Sequence, residues 1–196
     1  MGSLTDLCLI ELPQDVVFSS SVIPACLPTD SGRSYTGYTG YVSGWGTTQE
    51  DGRVSDVLKL TEQTILASTD QACVTGAQDS PVPNSKMCAY REGTDSCQGD
   101  SGGPLVVRED GRWTIVGIVS YGIGCARRGY AGVYARVTNY LDWINQNIAV
   151  SSLYPLQTPR ILTNHIPGWL VLISSSSTSS SSSTFRSDIP PGREAV

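Results

Sequence analysis

Asp95-Ser96-Cys97-Gln98-Gly99-Asp100-Ser101-Gly102-Gly103-Pro104 places one serine hydroxyl in a glycine-rich turn, and the rest of the chain is best understood from there. Acyl transfer concentrates negative charge on a single oxygen, so amide dipoles must converge in front of the attacking hydroxyl. Gly99 has no β-carbon to obstruct that approach, and Gly102 and Gly103 open backbone angles closed to other residues. Most glycine-rich turns are only turns. The weight of this one lies in ten residues standing in a fixed order around Ser101.

Working outward, four more segments belong with it: Asp6-Leu7-Cys8-Leu9-Ile10-Glu11-Leu12, Ser43-Gly44-Trp45-Gly46, Val119-Ser120-Tyr121-Gly122 and Gly132-Val133-Tyr134-Ala135-Arg136-Val137. In this order they resemble the trypsin-like (chymotrypsin-fold) serine proteases. Tyr121 stands where the family's V-S-W-G edge carries tryptophan. The resemblance runs from about residue 5 to about residue 148. It implies an all-β fold: a chymotrypsin-like antiparallel barrel, second barrel complete and first barrel largely missing, closed by a C-terminal helix. Residues 1–25 are then the last strand of the first barrel and the connection. Residues 26–148 are the second barrel with its helix, and residues 149–196 a disordered Ser-rich tail.

By the same resemblance Ser101 is the nucleophile, Asp6 the carboxylate that orients a histidine, and the amides of Gly99 and Ser101 the oxyanion hole. Asp95, six residues before Ser101, falls at the base of the family's specificity pocket. A carboxylate there pairs with substrate Arg or Lys, and a cation left unpaired would cost several kcal/mol, on the order of a buried charge pair broken. The bland alternative is a surface Asp in a loop. Gly122 and Gly132 fall on pocket walls that larger side chains would block. The backbone of Ser120 to Gly122 pairs with substrate as an added strand.

The mechanism asks for one residue more. A serine hydroxyl attacks only when a base takes its proton, usually a histidine held by a carboxylate. The family's histidine sits in a T-A-A-H-C motif ahead of the Asp6 strand, and none precedes Asp6 here. The one histidine is His165, in Asn164-His165-Ile166-Pro167, which matches nothing in the family and reads as a solvated tail residue. Nor is there an Ile-Val-Gly-Gly segment to supply the amino terminus that pairs with Asp100. A buried carboxylate without its cation is costly, so the loop around Gly99 is expected to be disordered or zymogen-like. Losing the base costs on the order of 10⁶ in kcat in a related mechanism. This chain alone is therefore expected to be inactive, as part of a longer secreted protease. The alternative is a pseudoprotease or protein-binding module.

Composition narrows the partners. The net charge is −5, and Arg127-Arg128 is an isolated basic pair, so neither nucleic acid nor an anionic membrane is expected. Partners are protein or peptide substrates with Arg or Lys at the cleavage site. Six cysteines point to an oxidising, extracellular setting, although Met1-Gly2-Ser3-Leu4-Thr5-Asp6 has no signal-peptide character. The resemblance implies bridges Cys73–Cys88 and Cys97–Cys125, and places Gly40 and Val107 where another family bridge would be. Cys26 falls where many members hold an upstream chain, and Cys8 reads as a buried free thiol. No C-x-x-C or histidine cluster suggests a metal, and no cofactor is expected.

Local patterns agree with a barrel. Alternating apolar runs flank Glu109-Asp110-Gly111, a hairpin turn. Residues 57–66 read as a strand, ending where Ser68-Thr69-Asp70 caps one helical turn. Thr138 reads as N-cap of a closing helix whose Leu141, Ile144 and Ile148 face the barrel. The apolar run ending at Ile173 is too short to span a bilayer. Residues 174–184 are eleven consecutive Ser or Thr, too polar to order themselves.

Overall fold

The computed structural model describes residues 6–75, 80–153 and 169–173. The chain runs through β1 (Cys8–Glu11), β2 (Thr39–Gly44), β3 (Lys59–Ile65), a 3₁₀ turn (Gln71–Cys73), β4 (Val74–Thr75), β5 (Ser80–Pro81) and β6 (Lys86–Tyr90). Then follow β7 (Pro104–Glu109), β8 (Arg112–Tyr121), β9 (Gly132–Arg136), a second 3₁₀ turn (Val137–Tyr140), α1 (Leu141–Leu153) and β10 (Trp169–Ile173).

Six of these strands close a barrel in the order β2-β3-β6-β9-β8-β7, every pair antiparallel. Closure comes from β2 on β7, where Gly40 lies opposite Val107. These two positions, where the family carries a bridge, are thus direct cross-strand neighbours. A β-carbon on Gly40 would sit 2.5 Å from the Leu105 side chain, so the glycine admits Leu105 to the core. The β7–β8 hairpin turns on Asp110 (φ 50°) and Gly111 (φ 78°), the two positive angles a tight right-twisting hairpin requires.

Alternation along the strands sorts side chains into separate cores. Val42, Ile65, Met87, Leu105, Val107 and Tyr134 fill the barrel. Cys88, between Met87 and Ala89 on β6, faces outward into a second cluster and bridges Cys73 there. A third cluster joins barrel to helix: Ile118 and Ala135 meet Leu141 and Ile144, with Ile148, Leu7 and Leu9 against them. Full burial of a side chain such as Ile144 stabilises by about 1.5–3 kcal/mol. The helix face read from Leu141, Ile144 and Ile148 packs as expected.

Four details differ from the sequence reading. Thr138 is not an N-cap, because residues 137–140 form a 3₁₀ turn before α1 begins at Leu141. Its buried hydroxyl has no hydrogen-bond partner among the described residues. Cys8 is unbridged but exposed rather than buried, since Leu7 and Leu9 take the inward positions and alternation turns Cys8 out. The helix runs on to Leu153. Finally, Trp169–Ile173, inside the segment read as disordered, is a strand that pairs antiparallel with β1 from Cys8↔Ile173 to Glu11↔Trp169. An apolar, β-branched and aromatic run satisfies its backbone on an edge strand more readily than in water. The Ser/Thr run 174–184 and His165 lie outside the described residues.

Upstream of the barrel, residues 12–25 form no helix or strand and expose Val17, Phe18, Val22 and Ile23. Trp45 (59% exposed) and Leu60 (68%) are exposed as well. No helix among the described residues is long and apolar enough to cross a membrane.

Candidate active site

The Ser101 loop is held by its own backbone. Gly102 N–H donates to Val119 O at 2.9 Å, Val119 N–H to Gly103 O at 2.9 Å, and Gly103 N–H to Asp100 O at 2.8 Å. The first two bonds fasten the loop to β8, and they leave Ser101 exposed at the turn. Gly99 (φ 94°) and Gly102 (φ 84°) take left-handed angles that a side chain would resist.

The direction of the Gly99 amide follows from one more contact. Gln98 O accepts from Thr47 N–H at 2.8 Å. A trans peptide points its N–H opposite its carbonyl, so the Gly99 N–H is turned away from Thr47. It donates to no group among the described residues, and neither does the Ser101 N–H.

Asp100 sets the floor of this loop. Its carboxylate accepts from Gly46 N–H at 2.7 Å and from Cys97 N–H at 3.0 Å. It approaches so closely that a β-carbon on Gly44 would lie 2.0 Å from Oδ1. The Ser43-Gly44-Trp45-Gly46 turn is therefore shaped by Asp100, a relation the motif alone did not reveal. For want of a cation the loop around Gly99 was expected to be disordered or zymogen-like; it is ordered, and these two amides meet the carboxylate. A cavity of about 360 Å³ lies beside it, lined by Thr47, Lys59, Thr61, Thr94 and both Asp95 and Asp100.

A second cavity, of about 300 Å³, brings Asp95, Ser101, Ser120, Gly122 and Gly132 together. Cys97–Cys125 forms, as the resemblance implied, and both sulfur-bearing residues line this cavity. Asp95 is half-buried, taking Ser96 N–H on Oδ1 at 2.9 Å and Ala126 N–H on Oδ2 at 3.1 Å. Burial pushes its carboxyl above the ordinary value of 3.8, outweighing those two hydrogen bonds, and Asp100 adds to the rise. Gly132 is indispensable to the opening: a β-carbon there would stand 2.7 Å from Asp95 Oδ1 and 3.2 Å from the Tyr134 hydroxyl. From Gly122 a β-carbon would reach within 4.0 Å of Gly132 Cα, so the two glycines face each other.

Tyr134 is a member that the sequence reading passed over. It stood inside a quoted motif, but nothing in that motif tells which way the ring points. Its hydroxyl is buried, with no hydrogen-bond partner among the described residues. Burial raises its pKa, with the nearby Ser96 side chain opposing. The hydroxyl stands near Asp95 as a polar atom with unused capacity.

Asp6 arrives from a different direction. It is buried, and Oδ2 accepts from the Ser120 hydroxyl and forms an ion pair with Lys86 Nζ. Ser120 lines the same cavity as Ser101, so Asp6 joins the site through it. Lys86 was not singled out from sequence. Among the described residues no cluster of His, Cys, Asp or Glu is arranged to hold a metal. Cys26 is unbridged and half-buried, its backbone bonded to Trp113 and Ile115.

These features agree with what the chain is similar to. The family model described as Trypsin matches residues 1–144. Trypsin-1 of Astacus astacus is 42% identical over 144 residues, covering 72% of this chain and 59% of that protein. A venom protease of Bombus pensylvanicus is 39% identical over 142 residues, covering 70% of this chain and 57% of that protein. The chain thus spans less than two thirds of the length of these relatives. The closed antiparallel barrel, its C-terminal helix and these matches together show that the chain belongs to the trypsin family.

Proposed function

We propose that this chain carries the nucleophile and specificity side of a secreted serine endopeptidase that cleaves after Arg or Lys. The observation that carries the reading is the 300 Å³ cavity that Asp95 and Ser101 share, kept open by Gly122 and Gly132. A substrate guanidinium or ammonium enters it and pairs with the Asp95 carboxylate, with the Tyr134 hydroxyl beside it. The substrate backbone lies along Ser120 to Gly122 as an added strand. Ser101 Oγ attacks the carbonyl, and the Gly99 and Ser101 amides receive the developing oxyanion. Asp6 orients the imidazole that takes the serine proton.

That imidazole comes from a histidine this chain does not supply, and the chain by itself is inactive in this reading. Asp100 awaits the ammonium of a cleaved amino terminus in the cavity beside Thr47 and Lys59. Two disulfides fit an oxidising compartment, and Cys26 is the point at which an upstream chain would attach.

Binding of p-aminobenzamidine, followed by its fluorescence, tests the pocket without requiring turnover. Saturable binding that Gly132→Val abolishes is the expected result. No binding to the folded chain would remove the Arg/Lys reading and leave the binding-module alternative.

A further inference from the structure

We propose that Lys86 is a positioning residue, whose ammonium ties the Asp6 carboxylate to the Ser120–Tyr121 edge of the pocket. This rests on reading Asp6 as the carboxylate that orients the base, and adds the group that orients Asp6 itself.

The need for such a group follows from the topology. Asp6 stands just before β1, and β1 pairs with β10 rather than with any barrel strand. Among the described residues β1 shares no ladder with the barrel, and Asp6 is joined to β8 through side chains. Leu7 and Leu9 pack on the barrel–helix cluster, which holds the strand to the surface but does not aim a carboxylate.

Lys86 supplies the aim from a rigid base. It opens β6 opposite Ala135 of β9. Its N–H donates to Pro83 O at 2.8 Å, and its carbonyl accepts from Arg136 Nε at 3.1 Å and from the Arg136 terminal nitrogen at 2.8 Å. The stem thus leaves a backbone held on both sides. Its Nζ meets Asp6 Oδ2 and donates to Ser120 Oγ at 2.8 Å, while Ser120 Oγ donates to that same carboxylate oxygen. Three polar atoms from three separate elements close a ring. The ammonium also lies 5.6 Å from the centroid of Tyr121, within range of a cation–π contact. One cation thereby touches the carboxylate, the serine beside it and the aromatic residue of the substrate-pairing edge.

Desolvation makes the arrangement specific. Both side chains of the pair are 12% exposed, so neither charge has ready water to turn to. Breaking such a pair from one side leaves an uncompensated charge, whereas removing both partners relieves it. A surface ion pair would show no such coupling.

The experiment compares Lys86→Met, Lys86→Arg, Asp6→Asn and the double variant Asp6→Asn/Lys86→Met in the full chain. Melting temperature and the side-chain carboxyl ¹³C resonance of Asp6 are both read. Lys86→Met is expected to lower the melting temperature by roughly 5–10 °C and to move the Asp6 resonance. Lys86→Arg should restore most of both, and the double variant should lose less than the sum of the singles. Should Lys86→Met fail to fold, recovery of folding in the double variant supports the coupling and its absence overturns it. Additive losses, or an Asp6 resonance unmoved in Lys86→Met, also overturn it. The p-aminobenzamidine assay separates this from the reading beneath it. A chain with the coupling but without amidine binding loses the Arg/Lys assignment, while one that binds amidine without the coupling loses only Lys86.

Discussion

The loop that carries Ser101 is fixed by backbone hydrogen bonds to a closed barrel, whereas Asp6 is carried by a strand that no barrel strand pairs with. On the Ser101 side, glycines, amides and carbonyls do most of the positioning, with the Asp100 carboxylate accepting from two of those amides. On the Asp6 side a side-chain ion pair and two leucines do it. The first kind of scaffold is local in sequence and tolerant of what surrounds it. The second depends on groups far apart in the chain meeting in a dry place, and is correspondingly easy to break.

The sharpest way to press on the Ser101 side is the half-buried carboxylate of Asp95. Asp95→Asn should weaken p-aminobenzamidine binding by roughly 10²–10³-fold, as expected when one partner of a desolvated charge pair is lost. The same change should raise the melting temperature at neutral pH, because burial disfavours the ionised form. The sign follows from the raised pKa. Ionising Asp95 works against the fold, so stability falls as pH climbs from 3.8 through the raised value and is level above it. The stabilisation in Asp95→Asn should accordingly vanish in acid. In the unaltered chain, amidine affinity should decline on acidification at a pH above that of an ordinary aspartate. Unchanged affinity in Asp95→Asn would end the specificity assignment.

Next in size is the bridge that braces the barrel away from the pocket. Replacing Cys73 and Cys88 together by serine opens a loop with a sequence separation of 15, worth about 3 kcal/mol in the chain-entropy account. Chemical denaturation should register that loss while amidine affinity stays within twofold, since neither cysteine lines the cavity. Loss of binding would mean that the pocket is less self-contained than its hydrogen bonds indicate.

These residues also show what could be read in advance. The Ser101 side was legible because its constraints are written in consecutive positions: Gly99 and Gly102 stand where positive φ is required, and Gly132 where a β-carbon would strike Asp95. Ser120, Gly122 and Gly132 stand farther along the chain and were placed beside Asp95 and Ser101 by the family resemblance; one cavity brings the five together. Lys86 was illegible. It lies in Asn84-Ser85-Lys86-Met87-Cys88, where one lysine at the start of a strand suggests only a solvated end. Its partners stand 80 and 34 positions away. Cys8 was misplaced because a four-residue strand with one charged end does not say which face is inward until Leu7 and Leu9 find the helix. Thr138 was misread because a cap and a 3₁₀ turn draw on the same residues, and only packing of Val137 and Tyr140 chooses between them.

The Asp6 side offers a smaller test through β10. Val171→Pro removes a donor from the strand paired with β1 at Ile10↔Val171. The barrel does not depend on that ladder, so the global loss should stay below about 1 kcal/mol, within the range of a single hydrogen bond. Amide exchange at residues 8–11 should nevertheless accelerate well beyond that of β8. Equal acceleration in both would show that β1 and the barrel open as one unit, which would erase the contrast between the two sides.

The smallest effect belongs to the rim of the pocket. Arg127 pairs with Glu50 through Nε at 3.0 Å and its terminal nitrogen at 2.6 Å, laid over Gly124 so closely that a β-carbon there would stand 2.2 Å from Nε. The mutual hydrogen bonds lower the Glu50 pKa and raise that of Arg127. Both groups are nevertheless solvent-facing, and water and salt screen such pairs until little remains. Arg127→Ala should leave the melting temperature within error and amidine affinity within twofold, at low and at high salt alike. Gly124 lines the cavity directly beneath this pair, so a tenfold loss of affinity would carry the opposite lesson. It would mean that a side-chain clasp shapes the Ser101 side as well, and that backbone hydrogen bonds alone do not hold the pocket open.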